Sequence, residues 1–355
     1  MKMPGSASYR VIIVSLLSVL IVSAMNASVL AEKLTLNGGG ASFPAPLYIK
    51  WFKDYHQTHP NVRINYQAIG SGGGVANFFE KRFDFAGSDV LLNKELASQV
   101  DSGVVQVPLT GGAVVLIYNL EGIKNLRLSR EAYAGIFLGK VKHWQDPLIA
   151  KTNKGVDLPD QEINVVARSD SSGTTHILTQ HLSAVNDMFA KMVGTSTKPI
   201  WPADMSRDGR LIKTLGNGSV AQMVKVIPGS IGYVEYSYAY FTDITMAALQ
   251  NKSGQFVSPA PASFFATIES ITPPPEALVT DIADPIGQNS YPILSLTWFL
   301  CHRTYDNPLK LKTIKDILSY CLTEGQKYNE KLGYVPLTEA WLAKARALVD
   351  GLEVK

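Results

Sequence analysis

From Leu34 onward, apolar and polar positions alternate between two periods, short β-like runs and longer stretches at helical spacing. Leu47 to His56 carries aromatic and apolar residues on one helical face, and Pro60 closes that stretch. Val62 to Ile69 alternates and is rich in branched and aromatic residues, which predicts a strand. Val75 to Phe83 predicts a helix and Phe83 to Gly87 a short strand. Val104 to Pro108 and Ala113 to Tyr118 predict two more strands. A second group begins near Arg130, with a strand at Ile163 to Ala167 and a helix at His176 to Ala184. Ser230 to Tyr240 reads as a strand, on which Tyr233, Tyr236, Tyr238 and Tyr240 are core and edge packing. Ser258 to Pro275 is proline-rich, carries little charge and predicts an irregular surface excursion. A strand at Ile293 to Cys301 and a helix at Leu311 to Leu322 follow. Such alternation predicts an α/β fold with mainly parallel sheets.

The amino terminus follows a different pattern. Lys2 and Arg10 precede an apolar run, Val11 to Ala24, broken only by Ser15, Ser18 and Ser23. The run is shorter than the about 20 residues a bilayer span needs. Small residues flank Leu30 at Val29-Leu30-Ala31, so residues 1–31 read as a cleaved secretory signal peptide. The expected location is the periplasm. Residues 32–355 are enough chain for two cores. The net charge is only +3, and the leader holds two of the basic residues. That balance excludes a broad basic surface for nucleic acid, so attraction for an anion must be local. The two cysteines, Cys301 and Cys321, lie away from the cleavage site and on apolar stripes. They can be a disulfide or two buried thiols; the spacing leaves both open.

Three turns rich in glycine and hydroxyl residues each follow a predicted strand and precede a predicted helix. They are Asn37 to Pro44, Ile69 to Gly74 and Arg168 to Thr175. At such junctions the first N–H groups lack partners within the helix, and the helix dipole is positive. Glycine admits close approach of a ligand, hydroxyls add donors, and the result is an anion cradle. Arg168 adds a rigid fork suited to two oxygens of a tetrahedral anion, with Asp170 placed to orient it. His176 falls on the helix that the third turn begins, pointing away from Ser172, and no nucleophile elbow or Walker loop occurs. His176 and His181, five apart, fall on different helical faces, and His56 and His59 can share a face but have no third ligand at suitable spacing. Neither metal nor cofactor is expected, and binding is favoured over catalysis.

These residues carry a resemblance. Gly38 to Tyr48 (GGGASFPAPLY), Tyr66 to Ser71, Asp84 to Asp89, Leu138 to Trp144, Arg168 to Thr175 and Pro228 to Tyr236 resemble the periplasmic phosphate-binding protein of Pst-type ABC transporters. The order is the same along nearly the whole mature chain, and the Asn-Gly-Gly-Gly opening is similar to the DING proteins. The resemblance implies a two-lobed, type II periplasmic-binding-protein fold, with mixed sheets flanked by helices and a cleft between the lobes. Lobe 1 would be residues 32–108 with 288–355, and lobe 2 residues 109–287. It also implies that Ser42, Phe43, Ser71, Asp89, Arg168, Ser172, Gly173 and Thr174 contact phosphate, supported by Gly72 and Asp170. Ser42 stands where the family often has threonine. Gly72 stands where a second serine is common, so one side-chain donor is expected to be missing. Implied partners are phosphate and a membrane permease with its ATPase, and the chain is expected to be a monomer. An ionised Asp89 would accept a hydrogen bond from the proton that phosphate carries and sulfate lacks. Receptors for arsenate, a phosphonate or sulfate, and a secreted phosphatase, are the alternatives.

Overall fold

The computed structural model describes residues 33–271 and 282–355, so the predicted leader lies outside the described residues. In chain order the main elements begin with β1 (Leu34–Gly40), α1 (Ala45–Thr58), β2 (Val62–Ala68), α2 (Ser71–Phe79), β3 (Phe85–Ser88) and β4 (Val104–Tyr118). They continue with β5 (Asn164–Arg168), α3 (Gly173–Val185), β6 (Leu211–Thr214), α4 (Gly216–Val226), β7 (Ser230–Glu235) and α5 (Tyr236–Tyr240). The last are α6 (Pro261–Glu269), β8 (Leu294–His302), α7 (Pro308–Leu322) and α8 (Glu339–Asp350). The strands form one 8-stranded sheet in the order β2-β1-β3-β8-β4-β7-β5-β6.

The sheet is mixed, where the alternation predicted mainly parallel pairing. β1 and β3 run parallel, as do β7, β5 and β6. The exceptions lie at the centre. β8 returns from late in the chain and pairs antiparallel with both β3 and β4, and β4 pairs antiparallel with β7. β4 and β8 thus join an amino-terminal strand group to the β7-β5-β6 group.

β4 is one strand of 15 residues where two were predicted. Thr110, Gly111 and Gly112 look like a break in sequence, yet all three pair with β8. The register shifts between Thr297 and Trp298, opposite Thr110 and Pro108, leaving Leu109 as a bulge. The bulge accommodates a proline that has no N–H to give the ladder.

Three further elements differ from expectation. The predicted helix at Val75 to Phe83 begins earlier, at Ser71, and includes the three glycines. Gly74 is why it can: a methyl there would lie 2.4 Å from Gly40 Cα. The predicted strand to Tyr240 ends at Glu235, whose carboxylate accepts the Ser237 N–H at 3.0 Å and caps α5. Tyr236 and Tyr240 therefore stack one helical turn apart at 5.5 Å, not at strand spacing. Inside the expected irregular excursion, α6 buries Phe264 against Tyr236 and Tyr291; residues 272–275 lie outside the described residues.

The amino-terminal core is aromatic, with Tyr48 and Phe52 of α1 on Tyr66, Phe85 and Phe299. The Phe85 and Phe299 rings stack at 4.5 Å across β3 and β8. Cys301 and Cys321 are both free and buried, so the disulfide alternative is set aside. Burial pushes the Cys301 thiol up to about 12, which keeps it unreactive at neutral pH.

Candidate anion site

Strand register brings the turns together. Gly40 pairs with Gly87 in β1 and β3, which sets Ala41 to Phe43 beside Ser88 and Asp89. Trp298 pairs with Ser88, which sets Thr297 of β8 against Asp89. Arg168 pairs with Thr214 at the ends of β5 and β6, so the turn after β5 lies beside the start of α4. The two strand groups thus aim their carboxyl ends at one place.

Ser42, Ser71, Asp89, Arg168, Ser172 and Thr174 are all buried there. Ser71 Oγ donates to Asp89 Oδ2 at 3.4 Å and accepts the Asp89 N–H at 3.3 Å. Thr297 Oγ1 donates to Asp89 Oδ1 at 2.7 Å. Burial pushes the Asp89 carboxyl up to about 7, against the Thr297 hydrogen bond, the nearby Arg168 charge and Ser71.

The third turn faces this group directly. Arg168 grips Asp170 with Nε to Oδ1 at 2.8 Å and with Nη2 to Oδ2. Its Nη1 reaches Thr174 Oγ1 at 3.5 Å. Burial alone would raise the Asp170 carboxyl, but Arg168 and the Gly216 N–H hold it below the usual range. Ser172 caps α3 by accepting the Thr175 N–H at 3.1 Å. The first main-chain bond of α3 runs from His176 N to Ser172 O, so the Gly173 and Thr174 N–H groups precede the helical ladder. A methyl on Gly173 would lie 2.4 Å from both Ser71 Oγ and Asp89 Oδ2. The two strand groups therefore meet with no room for a side chain.

All eight residues expected to contact the anion lie on these converging turns, and Phe43 is the only apolar side chain among them. Its carbonyl accepts the Tyr334 hydroxyl at 2.7 Å, and its ring packs where a methyl on Gly112 would come within 2.7 Å. Gly72 has a role that was not expected. Its N–H donates to Ser171 O at 3.0 Å across the seam, and a methyl there would lie 2.5 Å from Ser171 Cβ. The position has no side-chain donor, and it is a main-chain contact where only glycine fits.

Sequence reasoning passed over Asn217. Its Nδ2 donates to Ser42 Oγ at 3.0 Å and to Thr174 Oγ1 at 3.1 Å, and its N–H reaches Ser42 Oγ at 3.2 Å. The signal was present: Leu215-Gly216-Asn217-Gly218 follows a strand and opens a helix, as the other three turns do. Tyr238 donates to Ser42 O at 2.7 Å, a contact hidden by the strand reading of its segment. Thr297 gave no signal, because it sits inside an apolar run.

Chemically, the cluster offers unused helix-start N–H groups, four hydroxyls, one guanidinium and one carboxyl. That is a donor set for a small tetrahedral oxyanion carrying a proton. Residues 26–323 match the model of the PBP superfamily domain. The chain is 39% identical to the phosphate-binding protein PstS of Pasteurella multocida, covering 88% of this chain and 89% of that one. It is also 39% identical to PstS of Methanocaldococcus jannaschii, covering 84% and 82%. The crystal structure of a phosphate-binding protein from Stenotrophomonas maltophilia superposes with a TM-score of 0.70 at 25% identity, covering 88% and 93%. The chain belongs to the PBP superfamily and, within it, to the PstS phosphate-binding proteins.

Proposed function

We propose that this chain captures inorganic phosphate between two lobes outside the cytoplasm and delivers it to an ABC transporter permease. The lobes are residues 32–108 with 288–355 and residues 109–287, with the cleft at the seam described above. Ser42, Phe43, Ser71, Asp89, Arg168, Ser172, Gly173 and Thr174 hold the anion, while Gly72 and Asp170 support them. Residues 1–31 direct export and are removed, and the mature chain acts as a monomer in the periplasm. It recognises the permease and its ATPase complex in the closed, loaded form. Binding is favoured over turnover because Ser172 Oγ is engaged as a helix cap and, among the described residues, no imidazole is hydrogen-bonded to it.

The observation that carries the choice of phosphate is Asp89. A carboxylate in an anion site repels a ligand with no proton to give, and at neutral pH phosphate carries one while sulfate does not. With Asp89 at about 7 by burial, its ionised form prevails above that pH. Selectivity against sulfate should therefore be greatest above about pH 7 and shrink as pH falls and Asp89 gains a proton. Asp89→Asn should imitate the protonated state, with sulfate gaining at least about tenfold relative to phosphate. Competition titrations of phosphate against sulfate in both proteins test this. An unchanged preference in the variant removes the case for phosphate over sulfate.

A further inference from the structure

A second buried carboxyl lies beside the site, and the anion contacts leave it unused. Glu235 ends β7, where it pairs with Val114 of the connecting strand β4. It is fully buried. Its Oε2 accepts from Ser237 N and Ser237 Oγ, while its Oε1 is buried with no hydrogen-bond partner. That bare oxygen lies 3.6 Å from where a methyl on Gly112 would sit, a point that the Phe43 ring approaches at 2.7 Å. Among the described residues no cation pairs with Glu235, and Arg168 is committed to Asp170.

Glu235 reaches the anion cradle from two sides. Its N–H donates to Asn217 Oδ1 at 3.3 Å, and Asn217 holds Ser42 and Thr174. On the other side Ser237 Oγ lies 3.2 Å from the Tyr334 hydroxyl, which holds the Phe43 carbonyl. The titratable groups around it are Asp89 after β3, Tyr334 before α8, and Tyr236 and Tyr238 of α5. Burial raises all three phenols, so Asp89 is the only one of these neighbours charged near neutrality.

We propose that Glu235 is a positioning residue that must hold a proton for the cleft to close on phosphate, so that capture takes up a proton at this side chain. The inference rests on the phosphate reading above. An ionised Glu235 would place a second uncompensated charge beside Asp89 and a dianion, with one oxygen unsolvated. Protonated, it is a neutral platform under Ser42, Phe43 and Thr174. Burial, the largest influence, already lifts it to about 8, with the Asp89 charge adding to the rise. A bound anion lifts it further. The loaded form thus binds the proton more tightly than the empty form. Affinity is complete below the transition of the empty form and falls as pH rises through it, by up to about tenfold per pH unit, until the loaded form ionises in turn.

The test is phosphate titration calorimetry on the full mature chain from about pH 7 to about pH 10, in buffers of different ionisation enthalpy. Above the transition of the empty form, near pH 8, wild type should lose affinity with rising pH and take up close to one proton per phosphate, and below it little of either should appear. Glu235→Gln, which keeps shape and removes the titration, should show neither. Asp89 and phosphate itself titrate near the lower end in both proteins, so the difference between the curves belongs to Glu235. The wild-type proton count needs no variant, and so still decides if Glu235→Gln fails to fold. Phosphate binding without alkaline proton uptake, or a variant that keeps the wild-type slope, overturns this inference alone. A wild type that binds no phosphate overturns it together with the function proposed above.

Discussion

Arg168→Met should lower phosphate affinity by roughly a hundred- to a thousandfold, with titration calorimetry as the readout. Two costs combine. The charge-assisted donors to the anion are lost, at about 1.5–3 kcal/mol each. Asp170 is then left buried without its partner, which for a broken buried pair costs about 3–5 kcal/mol. The second cost falls on stability, because Arg168 and Asp170 are paired at 1% and 10% exposure without any ligand. The pair Arg168→Met with Asp170→Asn separates the two. It removes the stranded carboxylate and should recover most of the melting temperature while phosphate affinity stays lost. Recovery of affinity in the double variant would mean that Arg168 serves the fold and not the ligand.

Gly173→Ala should produce the second-largest loss, and with the opposite effect on stability. Gly173 is the first residue of α3, and alanine favours a helix over glycine by up to about 1 kcal/mol. The strand group that carries it should therefore fold at least as well. The added methyl would meet Asp89 Oδ2 and Ser71 Oγ at 2.4 Å and Asp89 Cβ at 2.5 Å, all across the seam. Overpacking of that kind costs about 1–3 kcal/mol, which under the proposed closure falls on the closed form alone. Affinity should fall roughly ten- to a hundredfold while thermal unfolding without ligand shows no loss. Small-angle scattering with saturating phosphate should report a less compact particle than wild type. Wild-type affinity in Gly173→Ala would show that the halves do not close at this seam.

The parts of this molecule legible in its sequence are those built from local pattern. Strand, glycine turn and helix recur at Gly38–Pro44, Gly70–Gly74 and Arg168–Thr175, because orphan N–H groups need close approach and small residues provide it. The fourth such turn, at Gly216, obeyed the same rule and was passed over because it lacks an arginine or a hydroxyl at its first positions. What sequence hid was contact made across the sheet. Thr297 looks like any polar residue in a buried strand until β8 is inserted beside β3, more than two hundred residues away in the chain. Tyr236 to Tyr240 read as strand because the period of two runs on past Glu235. A cap made by its own side chain ends that period. The contact of Gly72 with Ser171 on the opposite side was hidden for a related reason, since no local pattern reveals it.

The most direct measurement is calorimetric titration of the phosphate-stripped wild-type chain, first with phosphate and then with phosphate in excess sulfate. One ion per chain at a dissociation constant of about 1 μM or tighter, undisturbed by sulfate, is the predicted result. No binding heat from phosphate, or full displacement by sulfate, contradicts the account.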